Sequence, residues 1–188
     1  MSSRAHFGGL LGAVALVTGC FTVDGSLDAS GGGRLTILYP PPKHATVQSE
    51  TMRLRSEHVR VESVETVGDQ TQAVVSFDDV TKLSTAAAFD WIRIFREQDG
   101  VNWRLRIVLP GPEPGYRALL RKRAAEGIGH GPRITLELPS PVLDAGRYGV
   151  ADGSRVTWQI PTGDYANEPW IQLTVTYALA AESAAHSM

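Results

Sequence analysis

Short segments in which apolar and polar residues alternate recur along this chain, and turn residues separate them. After the pair Asp99-Gly100, every second residue from Trp103 to Leu109 is apolar and the residues between begin with two arginines. Such alternation predicts a strand with one buried face, and an Asp-Gly pair between two such segments predicts a hairpin. We therefore expect a fold built around antiparallel hairpins.

Other segments repeat this pattern, and three stretches have helical features. Strands are predicted at residues 21–27, 34–39, 59–67, 71–77, 91–95, 103–109, 134–138, 156–160 and 171–177. Helical segments are predicted at 46–54, at 79–88 after a cap by Asp78 or Asp79, and at 116–126. The mixture predicts an α+β fold, a mainly antiparallel sheet built from hairpins with two or three short helices packed on it; an all-β sandwich is the alternative.

The length sets the domain organisation. The chain has 188 residues, of which 43% are apolar, enough for one hydrophobic core. Residues 20–179 are expected to form a single domain, and the small, polar residues 180–188 a flexible tail.

The amino terminus has the features of an export signal. Arg4 precedes an apolar stretch from Phe7 to Val17, which is too short to span a bilayer. The stretch ends at Leu16-Val17-Thr18-Gly19-Cys20, and Cys20 is the only cysteine in the chain. This segment resembles the lipobox of bacterial lipoproteins.

The lipobox resemblance implies a signal peptide at residues 1–19, cleavage between Gly19 and Cys20, and a diacylglycerol thioether on Cys20, often with further acylation such as palmitate at the new amine. The chain is then expected in the cell envelope, exported and lipid-anchored. Because Phe21 rather than aspartate follows the cysteine, the resemblance implies the outer membrane in a diderm host, and otherwise the outer face of the cytoplasmic membrane.

Several later segments resemble the LppM-like bacterial lipoproteins. They are the Gly25-Ser26-Leu27 hairpin, the hairpin from Val59 to Phe77, the sequence Asp79-Val80-Thr81-Lys82-Leu83, and Asp152-Gly153-Ser154-Arg155-Val156-Thr157-Trp158. The resemblance covers most of residues 20–177 and implies an exported α+β domain with lipid or glycolipid binding and no catalytic residues. It departs from the family at the carboxyl terminus, where many members have a transmembrane helix and this chain has a strand-like segment and a polar tail.

Charge and residue spacing exclude several function classes. With 18 basic and 20 acidic residues, the chain lacks the positive charge typical of nucleic-acid binders. Its five scattered histidines have no zinc-ligand spacing, and no Gly-x-Ser-x-Gly motif is present. We expect no metal, no cofactor and no enzymatic activity, and we interpret Asp78, Asp79 and Asp90 as capping residues. An enzyme would need one of these carboxylates beside His44, His58 or His130 in a polar cleft.

The predicted helix at 116–126 contains four cations beside an apolar stripe. Arg117, Arg121, Lys122 and Arg123 are candidates for contact with anionic headgroups or an acidic partner, or form the solvated face of a helix packed on the sheet. The function expected overall is a non-catalytic domain that binds a lipid, a glycolipid or an envelope protein at the membrane surface. The alternative is a structural subunit of an envelope assembly that joins its partner by adding a strand.

Overall fold

Two β-sheets and four short helices make up the described part of the fold. The computed structural model describes residues 21–127 and 131–179. The strands are β1 (Thr22–Leu27), β2 (Gly33–Tyr39), β3 (Val59–Val67), β4 (Gln70–Phe77), β5 (Arg93–Asp99), β6 (Asn102–Pro110), β7 (Arg133–Glu137), β8 (Val142–Asp144), β9 (Gly149–Asp152), β10 (Arg155–Gln159) and β11 (Trp170–Ala178). The helices are α1 (Val47–Leu54), α2 (Pro114–Ala125), α3 (Thr162–Asn167) and a 3-10 helix (Val80–Thr85).

The strands form one sheet of seven and one of four. The larger sheet has the order β3-β4-β2-β1-β7-β10-β9, and the smaller has the order β5-β6-β11-β8. Both sheets are open, and apolar side chains from both belong to one buried cluster. The predicted α+β class is confirmed, since helices accompany sheets that are antiparallel at every pairing except one.

The alternation seen in the sequence produces the buried faces of these sheets. In β11, Ile171, Leu173, Val175 and Tyr177 are fully buried, whereas Trp170 and Gln172 point outward. β6 pairs with β11 along its whole length, so that Leu105, opposite Val175, contributes to the same buried face. The period of two thus places one apolar row of each strand in the core.

The parallel pair β1-β7 joins the two halves of the larger sheet. Thr22 lies opposite Arg133, and the backbone N–H of Arg133 donates to the carbonyl oxygen of Phe21 at 3.1 Å. Local hairpin signals do not predict this pairing, because the smaller sheet's β5-β6 hairpin and α2 separate the two strands in sequence. As a result β1, the first described strand, lies in the interior of the sheet.

Three short elements were not predicted. β8 has three residues and β9 has four, and most of their residues are exposed, so the apolar signal is weak. α3 contains Gly163 within its first turn, a poor helix former. A brief segment can still form regular structure when tertiary packing supplies the stabilisation.

Helix α2 differs from the prediction in its packing. It begins at Pro114, two residues earlier than predicted, with proline in the first turn, where its missing N–H costs nothing. It packs mainly against α3 rather than on a sheet. Of the predicted apolar stripe, Leu120 is buried but Leu119 is 43% exposed.

The strand register defines two ends of the molecule. Leu38, Thr22, Arg133 and Gln159 form one row across neighbouring strands of the larger sheet. We call this the Phe21 end. The opposite end contains the β1-β2 turn, and we call it the Gly31 end.

Candidate functional site

An apolar cavity of about 60 Å³ lies between the two sheets, and only apolar surface is exposed inside it. The larger sheet contributes Phe21, Val23, Leu35, Ile37, Ile134 and Leu136. The smaller sheet contributes Ile94, Ile107 and Leu109. A space with this lining excludes polar ligands, because their groups would lose hydrogen bonds to water without replacement. It suits a hydrocarbon group.

Gly25 allows a close contact beside the cavity. It lies opposite Leu35 in β2 and opposite Leu136 in β7, between two lining side chains. A Cβ at Gly25 would meet the Leu35 side chain and lie 2.6 Å from the carbonyl oxygen of Arg34. The glycine therefore lets the Leu35 side chain pack over the strand.

The third wall of the cavity is a segment without strand pairing, which we call the connecting segment (residues 80–92). It contributes Val80, Leu83, Phe89, Trp91 and Ile92. Few backbone hydrogen bonds hold it to the rest of the fold. The N–H of Val80 donates to the oxygen of Gly31 at 2.8 Å, and that of Ala88 donates to the oxygen of Arg53 at 2.9 Å.

At the Gly31 end, the space between the sheets is closed by Arg96. Its guanidinium lies 4.0 Å from the centre of the Trp103 ring, donates to the Tyr177 hydroxyl at 2.9 Å and donates to the carbonyl oxygen of Ala29 at 2.7 Å. Gly31 lies against this guanidinium, where a Cβ would come within 2.6 Å of it. These contacts fix a charged side chain between the smaller sheet and the β1-β2 turn at this end.

At the other end, the cavity wall is aromatic. Phe21 and Trp91 meet edge to face, with ring centres 6.2 Å apart, and both line the cavity. Residue 20 directly precedes Phe21. The predicted lipidation site, Cys20, and the predicted cleavage residue, Gly19, lie outside the described residues, but the described chain begins at this cavity wall.

The size of the cavity limits what it holds in this conformation. An apolar cavity of about 150 Å³ is large enough for benzene, and this one is less than half as large. Only a group smaller than benzene fits without movement of the walls.

The four predicted contact residues on α2 fall into two pairs. Arg117 donates from Nε to the carbonyl oxygen of Pro112 at 2.7 Å, and Arg121 donates from Nε to Oδ1 of Asn167 at 2.8 Å. Lys122 is 74% exposed, with its amine 4.0 Å from a carboxylate oxygen of Glu126. Arg123 is exposed and has no ion pair with any described residue. The first pair fixes the helix, and the second pair faces solvent.

A polar cleft of about 460 Å³ lies on the β3-β4 side of the larger sheet. There the ring of His58 lies between two carboxylates, with Nδ1 3.1 Å from Oδ1 of Asp78 and Nε2 2.9 Å from Oε1 of Glu57. From the sequence, a contact between His58 and Asp78 is expected only if the chain is an enzyme. Both ring nitrogens face acids here, and among the described residues no hydroxyl is hydrogen-bonded to the ring.

The other candidate polar residues are separated. Of the three aspartates interpreted as capping residues, Asp79 caps the 3-10 helix by accepting the N–H of Thr81 at 2.8 Å. The interpretation is wrong for Asp78, whose carboxylate contacts His58, and for Asp90, which caps no described helix. Asp90 is exposed at the end of the connecting segment, and His130 lies outside the described residues. Within residues 21–127 and 131–179, no group of three or more potential ligands could hold a metal ion. No helix in the same ranges is long and apolar enough to cross a membrane.

Sequence reasoning missed the buried polar cluster at the end of β2. The Tyr39 hydroxyl donates to Oε2 of Glu50 at 2.6 Å, and Nη1 of Arg53 lies 2.8 Å from the other carboxylate oxygen. Glu50 is only 2% exposed. Burial, followed by the neighbouring carboxylate, raises the pKa of Tyr39 above its usual range. The sequence places Glu50 in the first turn of a helix, and only the packing of α1 buries it.

Comparison with known proteins gives a structural match to the fold. No family model matches the chain, and no curated protein matches it. The NMR structure of the folded domain of LppM from Mycobacterium tuberculosis is similar, with a TM-score of 0.54, 11% sequence identity and coverage of 95% of this chain and 97% of that chain. At this identity the likeness concerns the fold alone. The chain thus has an LppM-like α+β fold.

Proposed function

We propose that this chain is a lipid-anchored protein of the cell envelope whose folded domain binds the hydrocarbon part of a lipid or glycolipid without chemical change. The observation that carries the proposal is the wholly apolar cavity between the sheets, lined by Phe21 at the amino-terminal end of the fold. The lipobox-like segment ending at Cys20 supports the anchor. The LppM-like fold agrees with the sequence resemblance to LppM-like lipoproteins, and that resemblance implies lipid binding.

The position of the cavity supports this function. An acyl anchor on Cys20 is one residue from Phe21, so the aromatic end of the cavity lies close to the membrane surface. Arg96 closes the opposite end. A hydrocarbon chain leaving the bilayer then enters at the Phe21 end without crossing water over a long distance. Burial of each methylene contributes about 0.8 kcal/mol, so even a few methylenes favour binding.

Intact mass of the protein purified from its native membrane tests both parts of the proposal. Under denaturing conditions we expect a diacylglyceryl adduct in the wild type and none in Cys20→Ala. Under native conditions we expect a bound lipid in the wild type, lost when Val23→Phe fills the cavity. Val150→Phe adds the same ring at a position that is 72% exposed and is expected to keep the lipid.

The two parts can fail separately. Absence of the adduct contradicts the anchor, and an equal amount of bound lipid in the Val23→Phe protein contradicts the cavity as its site. Because a larger core side chain costs roughly 1–3 kcal/mol, the folding of both phenylalanine variants is checked by circular dichroism. Ile94→Phe fills the cavity from the other sheet and serves as a second variant.

A structural subunit of an envelope assembly is the second candidate. The observation in its favour is the nine-residue strand β3, which forms one edge of the larger sheet and pairs only with β4 among the described strands. Such an edge can accept a strand from another protein. A proline at Val64, on this edge, is expected to disrupt a large native complex if this function is correct and to leave lipid binding intact.

A further inference from the structure

We propose that α2 forms a docking surface for an anionic bilayer, so that the domain rests on the membrane by its Phe21 end. The inference extends the proposed function, because it uses the Cys20 anchor to bring this surface to the bilayer. The surface consists of Leu119, Lys122 and Arg123, and Trp170 is a separate exposed aromatic residue at the same end of the domain.

α2 lies at the Phe21 end. Its carboxyl-terminal residues Ala124 and Gly127 border the same cleft as Gly131, Gln159 and the start of α3. Gln159 belongs to the row that includes Thr22, two strands away. Since neighbouring strands are about 4.8 Å apart, this places Gln159 about 10 Å from β1.

Trp170 lies between two chain segments that contact this helix. It is the first residue of β11, lies opposite Pro110 and is 59% exposed. Two residues beyond Pro110, the carbonyl oxygen of Pro112 accepts from Arg117, and three residues before Trp170, Asn167 accepts from Arg121. The two arginines thus hold α2 against both chain segments that flank Trp170.

The exposed side of α2 combines apolar and cationic groups. Lys122 and Arg123 lie three and four residues after Leu119, so each of them neighbours Leu119 on the helix surface. Leu119 is 43% exposed. Anionic headgroups attract the two cations, and tryptophan prefers the headgroup region.

Charge complementarity selects an anionic bilayer as the partner. Among residues 1–19, Arg4 is the only lysine, arginine, aspartate or glutamate. The rest of the chain therefore has 17 basic and 20 acidic residues. Because this net charge is negative, an anionic surface repels the domain on average. α2 is a local exception: Lys122 and Arg123 are exposed on it, and the carboxylate within ion-pair distance of Lys122 is Glu126, at 4.0 Å. An approach with this side of α2 toward an anionic membrane is therefore attractive.

The test uses the full lipidated protein in vesicles of phosphatidylcholine with brominated acyl chains, with or without phosphatidylglycerol. Bromine in the bilayer quenches tryptophan fluorescence. The difference in quenching between the wild type and Trp170→Phe gives the part of the quenching that comes from Trp170. We expect Trp170 to be quenched in vesicles that contain phosphatidylglycerol. The double variant Lys122→Gln, Arg123→Gln is expected to reduce this quenching severalfold, because it removes two cations that the anionic surface attracts. High salt is expected to have the same effect, because ions screen this attraction.

Lys82→Gln is the matched control. Lys82 is an exposed lysine on the 3-10 helix, whose first residue is hydrogen-bonded to Gly31 at the opposite end. This variant is expected to behave as the wild type. If Trp170 is unquenched in protein that remains anchored, or is quenched equally in the Lys122→Gln, Arg123→Gln protein, the docking surface is wrong and the anchor stands.

Failure of the anchor is recognised by sedimentation. Protein without an acyl chain does not sediment with phosphatidylcholine vesicles. In that case, sedimentation with excess phosphatidylglycerol vesicles that is lost in the Lys122→Gln, Arg123→Gln protein still supports docking. No sedimentation with those vesicles overturns it.

Discussion

At the scale of single residues, Arg96 closes one end of the molecule. Removal of its side chain in Arg96→Ala loses the contact with Trp103 and the hydrogen bonds to Tyr177 and Ala29. We expect the free energy of unfolding to fall by about 1–3 kcal/mol, because Tyr177 is fully buried and its hydroxyl loses a partner. Urea denaturation measures the change.

Arg104→Ala is the matched control for this prediction. Arg104 pairs with Asp99 at 2.6 Å, but both side chains are about half exposed, and an exposed ion pair contributes roughly 0–1 kcal/mol. The control is expected to be nearly neutral. Equal destabilisation by the two substitutions would contradict the role given to Arg96.

Tyr39 makes stability sensitive to alkali. The pKa of its hydroxyl is raised in the folded protein by burial and by Glu50. Because an unfolded tyrosine ionises near pH 10, rising pH favours the unfolded state once that value is passed. Stability from Tyr39 is present below pH 10 and is lost as the pH rises above it.

Tyr39→Phe separates these contributions. Near neutral pH we expect a loss of about 1–2 kcal/mol, since the buried carboxylate of Glu50 loses a donor. Above pH 10 the stability of the variant should fall less steeply than that of the wild type in urea titrations at a series of pH values. Parallel slopes would exclude Tyr39 as a source of alkaline instability.

Residues also show what the sequence leaves undetermined. Asp79 caps a helical turn because a local signal specifies the cap, and the structure agrees with the prediction. Arg96 gains its partners, and Glu50 gains its hydrogen bond from Tyr39, through packing between segments that are not adjacent in sequence. The Glu50–Arg53 pair is local, with a spacing of three residues on α1. The packing contacts could not be deduced from neighbouring residues.

At the scale of elements, the connecting segment is the weakest wall of the cavity. It has no strand partner, whereas β11 is paired along nine residues with β6. Local opening is easiest where few backbone hydrogen bonds must break. We expect amides of residues 83–92 to exchange hydrogen at least about tenfold faster than those of β11.

A bound hydrocarbon should change this exchange. A chain in the cavity contacts Leu83, Phe89 and Ile92 and closes the segment around it. Hydrogen exchange followed by mass spectrometry, with and without a fatty acid, is expected to show slower exchange in residues 83–92 and no change in the α1 peptide. Unchanged exchange in the segment would show that it does not move with ligand.

Elements were predicted where the apolar period is strong. The β5-β6 hairpin and β11 follow from alternation around a turn, and the helix predicted at 46–54 is α1, which begins directly after its cap, Thr46. β8, β9 and α3 are short and depend on neighbours for stability. The packing of α2 on α3 could not be predicted, because one partner was itself absent from the prediction.

At the scale of the whole molecule, the two ends have different properties. The Gly31 end is closed by Arg96, and the Phe21 end has the aromatic cavity wall and α2. The sequence predicts an anchor at Cys20 and a basic helix, but not that Phe21, the residue after Cys20, and α2 lie at one end. That arrangement depends on the parallel pairing of β1 with β7, which crosses more than half the chain.

The location of a bound acyl chain tests the central claim most directly. A fatty acid with a diazirine near its methyl end is bound to the purified protein, irradiated, and its crosslinks are mapped by peptide mass spectrometry. The account predicts crosslinks at cavity residues from both sheets, such as Val23, Ile94 and Ile134. Crosslinks confined to outward-facing residues such as Trp170 and Val150, or none at the cavity, would contradict it.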